Sequence, residues 1–199
     1  MHTSTKYYGS LPGSNRQYNK LQRFCMRQHE LVRHATGPSM LYDEHMEPGL
    51  DYSVVAEHLM VGKTPHSHDY PMLRQHGVRL IINMQLEHYA WSAHSRSGIR
   101  TLWVPTIDWW LFPIYPWYVM SAVRRALAVI EQGGTVYCHC RQGRHRSILL
   151  AACILIAQGN TVAQTMTTLK QSRAVADPEA PHIYRSIRAF AARWERCAG

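Results

Sequence analysis

The chain has 199 residues, which is long enough for one domain with a sizeable core and a short extension. It carries 22 Lys and Arg against 13 Asp and Glu, so its formal net charge is +9 and anionic ligands are favoured. Five cysteines without framework spacing argue against a disulfide scaffold and for a reducing compartment. No apolar region is evident near the N-terminus and no apolar run approaches ~18 residues, so we expect neither a secretory signal nor a membrane-spanning helix. The expected location is the cytoplasm or another reducing intracellular compartment.

Residues 1–50 are predicted to form a basic extension ahead of a folded domain at 51–199. Within the extension, five basic residues and one acid between Arg16 and Arg33 accompany apolar residues at helical spacing. This pattern predicts an amphipathic helix over about 16–34. Its basic face either stays in water while the helix packs on the domain, which we favour, or contacts an anionic membrane surface. We expect no nucleic-acid partner.

From residue 51 onward, apolar strand-like runs alternate with helical patterns. Strands are predicted as a hairpin at 51–62 and as single runs at 78–84, 101–105 and 135–140. Helices are predicted at 117–132, 148–156, 161–173 and 182–196, the third of them opening with a capping box of Thr161 and Gln164. This alternation predicts an α/β fold with a central, largely parallel sheet of four to five strands and helices on both faces.

The most informative stretch is residues 139–147, which we call the signature loop; it lies between the last predicted strand and the helix at 148–156. Cys140 and Arg146 are six residues apart, so one loop can wrap a tetrahedral oxyanion with backbone N–H groups and a guanidinium fork. The same positive field stabilises a thiolate, which makes Cys140 a candidate nucleophile. Ser147 can cap the helix or donate to the sulfur, and His139 can orient the loop.

A second register is available, because Cys138 also has an arginine six residues later, Arg144. Three features favour Cys140. Gly143 stands mid-loop, where the backbone must turn, whereas the other register would place Arg141 there. Ser147 and His139 flank the motif only in the Cys140 register. Cys138 is then predicted to be a buried apolar residue on the strand.

This arrangement resembles the signature of the cysteine-dependent protein tyrosine phosphatase superfamily, in the His-Cys-x-x-Gly-x-x-Arg-Ser form of the small, atypical dual-specificity phosphatases. The resemblance covers roughly residues 50 to 196. It implies a dual-specificity phosphatase fold, phosphate monoester hydrolysis through a phosphocysteine intermediate, and a phosphoprotein substrate carrying phosphotyrosine, phosphoserine or phosphothreonine. It also implies phosphate binding by the loop residues Arg141, Gln142, Gly143, Arg144, His145 and Arg146.

Such an enzyme needs a general acid, because the leaving oxygen departs poorly as an alkoxide. Asp108 follows a predicted strand 32 residues before Cys140, and one helix-length segment between them allows it to return over the loop. Glu87, at the end of another predicted strand, is the alternative acid. No cofactor is expected, since Arg146 and the loop amides supply the positive charge. No metal is expected either, because neighbouring positions such as 138, 139 and 140 cannot easily converge on one ion.

The basic signature loop is compatible with more than one class of substrate. Arg141 and Arg144 add charge that a single phosphoprotein monoester does not require, so a phosphoinositide, phosphatidylglycerophosphate or an inositol phosphate is an alternative. The loop resembles that of plant and fungal phosphatases with inositol pyrophosphate activity, whereas the segment 105–112 resembles the mitochondrial lipid-phosphatase-like group. Gln142 and His145 depart from the second group. Aromatic residues after Asp108 either wall the cleft or pack on the core: Trp109, Trp110, Phe112, Tyr115, Trp117 and Tyr118.

Two other classes remain. A catalytically silent phosphate-binding module is disfavoured because the nucleophile, the arginine, the serine and a candidate acid are all present. An arsenate reductase or sulfurtransferase is disfavoured because the former carries its loop near the N-terminus and the latter lacks the full motif.

Overall fold

The computed structural model describes residues 49–86, 98–109 and 114–198. The predicted extension with its helix at about 16–34, and the residues Glu87, Trp110 and Phe112, lie outside these ranges. The strands are β1 (Tyr52–Ala56), β2 (Leu59–Gly62), β3 (Val78–Asn83), β4 (Arg100–Trp103) and β5 (Thr135–His139). The helices are α1 (Tyr70–Gln75), which follows a 3₁₀ turn at Ser67–Asp69, α2 (Pro116–Glu131), α3 (Arg146–Ala157), α4 (Val162–Ser172) and α5 (Pro181–Ala198).

The five strands form one sheet in the order β1-β2-β5-β3-β4. β1 and β2 form an antiparallel hairpin, and every other neighbouring pair is parallel. His139, at the end of β5, pairs with Gly62 on one side and with Asn83 on the other. The carboxyl ends of the parallel strands therefore meet at one edge of the sheet. The predicted fold class, a largely parallel sheet in an α/β architecture, is confirmed.

Both faces of the sheet are covered, which explains why β2 and β5 are buried along their whole length. On one face, Met60, Ile81 and Tyr137 pack against Tyr70 and Leu73 of α1. The other face carries α2, α3, α4 and α5, which contact one another. Helix α3 lies among its three neighbours and the sheet, so eleven of its residues are buried.

The helix boundaries follow local signals in the sequence. Pro116 occupies the first turn of α2, where its missing N–H costs nothing. Thr161 and Gln164 form the predicted capping box at the start of α4, with the Thr161 hydroxyl accepting from the Gln164 N–H at 3.2 Å. Across the described ranges, no helix combines the length and apolarity needed to cross a bilayer.

Candidate active site

The signature loop connects the end of β5 to the start of α3 at the carboxyl edge of the sheet. Gly143 adopts φ +64°, and a Cβ there would lie 2.7 Å from the Gly62 carbonyl group and 2.8 Å from Arg173 Nη2. Neither the backbone angle nor the space suits a side chain, so glycine alone fits. The loop is thereby pressed against the end of β2.

Cys140 is 2% exposed, and its Sγ lies 3.3 Å from the Ser147 hydroxyl. Burial alone would raise the pKa of the Cys140 thiol. Hydrogen bonds from the Ser147 side chain and backbone, the charge of Arg146 and the Arg144 backbone N–H outweigh burial and lower the pKa below its ordinary value. The position therefore favours a thiolate, the form of cysteine that acts as a nucleophile.

Cys138 lies in the interior of β5 and is fully buried. Burial raises the pKa of the Cys138 thiol far above its ordinary value, with no compensating donor. The two cysteines are two residues apart on the chain, yet their environments shift the thiol pKa in opposite directions. Only the environment of Cys140 suits nucleophilic attack.

The Arg146 guanidinium is held in place from one side. Its Nη1 donates to the Thr106 carbonyl at 3.0 Å and to the Met84 carbonyl at 3.2 Å. Its Nε makes no hydrogen bond and lies 3.5 Å from Asp108 Oδ2. Carbonyls that follow β3 and β4 thus orient the fork, and its buried Nε retains an N–H that no hydrogen bond uses.

Arg173, which ends α4, anchors the loop from behind. Its side chain is 2% exposed and donates from Nε to the Gly143 carbonyl at 2.8 Å and from Nη2 to the Gln142 carbonyl at 3.1 Å. A bidentate pair with Asp51, at 2.9 and 3.1 Å, fixes the guanidinium in turn. Sequence reasoning missed this role, because the motif contains no signal for an arginine 33 residues after Cys140.

Asp108 lies at the other side of the loop, with its side chain 27% exposed. Oδ2 is 3.3 Å from His145 Nδ1, and Oδ1 is 3.0 Å from His182 Nε2. A carboxylate can only accept, so both histidine nitrogens donate. Burial by itself would raise the pKa of Asp108, but the hydrogen bonds from His145 and His182 and the charge of Arg146 lower it to about 2.

His145 also faces a second carboxylate, since its Nε2 lies 3.6 Å from Asp177 Oδ2. The hydrogen bond to Asp108 raises the pKa of His145 above its ordinary value, against the opposing effect of burial. Arg144 donates to the same Asp177 oxygen at 3.2 Å. We call Asp108, His145, Asp177 and His182 the acid region. Sequence analysis did not identify Asp177 or His182.

A family model for the dual specificity phosphatase catalytic domain matches residues 59–191 of this chain. The chain belongs to the dual specificity phosphatase family. Membership of this family accounts for the cysteine and the arginine on one loop. The larger part of the described residues, including the whole signature loop, lies inside the matched range.

Among curated relatives, the phosphatidylglycerophosphate phosphatase PTPMT1 of Arabidopsis thaliana is 30% identical over 153 residues. That match covers 71% of this dual specificity phosphatase chain but spans only 40% of the Arabidopsis protein. Solved structures include PTPMT1, at a TM-score of 0.66 and 22% identity over 74% of this chain and 98% of that one. Human DUSP28 matches at 0.65 and 21% identity, over 73% of this chain and 99% of that one. At this identity the likeness concerns the fold.

The remaining predicted site residues of this dual specificity phosphatase occupy distinct positions. Arg141 and Gln142 are exposed at the loop rim, whereas His139 is 2% exposed with its ring 6.0 Å from that of Tyr137. Trp109 is 53% exposed, and Tyr115 stacks on Trp117 with ring centroids 6.2 Å apart. These rings are therefore not core residues.

Within the described ranges, two groups offer three metal-type ligand atoms each. In the group formed by Asp108, His145 and His182, the carboxylate oxygens and the facing histidine nitrogens are already hydrogen-bonded to one another. The Arg146 guanidinium lies 3.5 Å from Asp108 and repels a cation. In His66, His68 and Asp69, His66 and Asp69 form a capping box for the short helical turn. Both groups are accounted for by ordinary structural contacts.

Proposed function

We propose that this protein hydrolyses phosphate monoesters through a phosphocysteine intermediate. The observation that carries the proposal is the pairing of a buried Cys140, whose thiol pKa is lowered, with an Arg146 guanidinium oriented on the same loop. We expect a tetrahedral phosphate to bind between these groups, because loop amides and the start of α3 supply further donors.

In the first step, the Cys140 thiolate attacks phosphorus and the bond to the leaving oxygen breaks. Arg146 and the loop amides stabilise the charge on the equatorial oxygens. Asp108 is ionised in the free protein because its pKa is lowered to about 2, so the proton has to arrive with the substrate. Asp108 lies beside Arg146, accepts this proton from the monoanion of the bound phosphate ester and delivers it to the leaving oxygen. In the second step, water activated by Asp108 attacks the phosphocysteine, and Ser147 stabilises the departing thiolate at 3.3 Å.

For the substrate, the family name supports a protein carrying phosphotyrosine, phosphoserine or phosphothreonine. A second candidate is a phospholipid such as phosphatidylglycerophosphate or a phosphoinositide. It is favoured by Arg141, which is exposed at the rim and has no ion pair among the described residues, whereas Arg144 is neutralised by Asp177. The Arabidopsis relative is named for phosphatidylglycerophosphate, and a solved PTPMT1 structure contains PI(5)P.

The test is phosphate release by the wild type, Cys140→Ser and Arg141→Gln on phosphopeptides, phosphatidylglycerophosphate and phosphoinositides. We expect release by the wild type and none by Cys140→Ser. A lipid preference that Arg141→Gln selectively weakens would support the phospholipid, and a peptide preference that Arg141→Gln leaves unchanged would support the phosphoprotein. Absence of wild-type release on every substrate would overturn the proposed function.

A further inference from the structure

Helix α5 forms hydrogen bonds to both Asp108 and Ile114. His182, in the first turn of α5, donates to Asp108 Oδ1 at 3.0 Å. One turn later, the Ser186 hydroxyl accepts from the Ile114 N–H at 3.1 Å and donates to the His182 carbonyl at 2.7 Å. These two anchors come from residues i and i+4 of one helix, which lie on the same face.

The packing around His182 fixes the direction of its hydrogen bond to Asp108. The His182 side chain is 9% exposed, and its ring meets the His145 ring edge to face with centroids 5.5 Å apart. A packed ring has little freedom to turn, so the Nε2–H direction is fixed. Oδ1 is accordingly drawn towards α5, and Oδ2 is left facing His145 at 3.3 Å and Arg146 at 3.5 Å.

We propose that His182 is a positioning residue for the general acid, which presents Oδ2 of Asp108 to the leaving oxygen. The inference rests on the proposed function and assigns His182 no contact with the substrate. Without this bond, the carboxylate can rotate and move onto the Arg146 guanidinium, because Arg146 then offers the strongest remaining partner. Proton delivery to the leaving group becomes slower, while the nucleophile and the phosphate-binding loop are retained.

The experiment compares two aryl phosphates that differ in their need for a proton. Phenyl phosphate releases a poor leaving group and requires the acid, whereas 2,4-dinitrophenyl phosphate releases a good one and does not. His182→Phe keeps a ring but has no donor, and His182→Gln keeps an N–H at a similar reach. Tyr184→Phe, an exposed position on the same helix, is the matched control.

We expect His182→Phe to lower kcat for phenyl phosphate about 10-fold and kcat for the dinitrophenyl ester less than about 2-fold. His182→Gln should recover most of the loss on phenyl phosphate, and Tyr184→Phe should match the wild type on both esters. In an Asp108→Asn background, His182→Phe should cause no further loss, because the two residues act as one unit.

Equal losses on the two esters, or a full additional loss in the Asp108→Asn background, would show a structural role and overturn the inference. The double variant also separates an effect through Asp108 from one through the His145 ring, since the latter would persist. If His182→Phe does not fold, His182→Asn, whose donor is too short to reach Oδ1, should show the same selective loss. Failure of the wild type on both esters would refute the proposed function instead.

Discussion

The signature loop and the acid region are held by different kinds of contact. The loop is one contiguous stretch, fixed by hydrogen bonds from the buried side chains of Arg146 and Arg173 to backbone carbonyl groups. The acid region brings together side chains from α5, from the loop and from the turns after β4 and α4, and its contacts are mostly ion pairs of partly exposed groups. Contacts of the first kind resist pH and salt, whereas those of the second kind respond to both.

The largest expected effect on phosphate release distinguishes Cys140 in the signature loop from Cys138 in β5. Cys140→Ser should reduce phosphate release by about 10⁴-fold or more, because serine lacks a stabilised anion at neutral pH. Cys138→Ser should remain within about 3-fold of the wild type and lose about 1 kcal/mol of stability, since it only alters a buried apolar site. Steady-state kinetics measure phosphate release by both variants, and denaturant unfolding measures their stability. A Cys138→Ser variant that is folded but releases no phosphate would contradict the assignment of Cys140 as the nucleophile.

Arg173→Met probes the rigidity of the loop without touching its chemistry. It leaves the Gly143 and Gln142 carbonyls without their donor and removes the pair with Asp51. We expect turnover to fall about 10- to 100-fold through misplacement of the loop. The free energy of unfolding should fall by about 2–3 kcal/mol, below the full value for a buried pair because Asp51 is partly exposed. Arg141→Met, an exposed loop arginine, is the control for stability; equal losses in both variants would argue against an anchoring role.

Ser147→Ala tests the donor that faces the sulfur. Removal of the hydroxyl should raise the pKa of Cys140, because the Ser147 hydrogen bond is the largest of the contributions that lower it. Breakdown of the phosphocysteine should slow by about 10-fold, since the departing thiolate loses its donor. The pH dependence of iodoacetamide alkylation reports the first effect, and burst kinetics report the second. Ser147→Thr keeps a hydroxyl and should restore both; an unchanged alkylation profile in Ser147→Ala would refute the role.

The smallest expected effect is the pH response of the acid region. The pKa of His145 is raised in the folded protein, so its contribution to stability is complete below about pH 6.5 and is lost as pH rises through the folded value. Asp108 stays ionised over this range because its pKa is lowered to about 2. Relative to His145→Asn, the wild type should lose less than about 1 kcal/mol between pH 6 and pH 8. Denaturant unfolding at several pH values measures this, and parallel curves would mean that His145 carries no charge-dependent contact.

The signature loop could be predicted because a phosphate-sized ligand is wrapped by residues that are adjacent in the chain. Because β3 and β5 are covered on both faces of the sheet, their sequences are nearly continuous apolar runs, which can be recognised as buried strands. His182 and Arg173 could not be predicted, because their partners are chosen by the packing of separate helices. One weak signal existed: His182 and Ser186 lie on the same helical face as Ile183 and Ile187, where polar residues are uncommon. The rim charge predicted for Arg144 is reduced, since Asp177 pairs with it.

The bond between Asp108 and His182 joins residues 74 positions apart in the chain. During synthesis, the ribosome releases β5 and α3 before α5, so Cys140 and Arg146 emerge before His182, the residue that anchors Asp108. On the proposed mechanism, efficient turnover of poor leaving groups requires α5 to be in place.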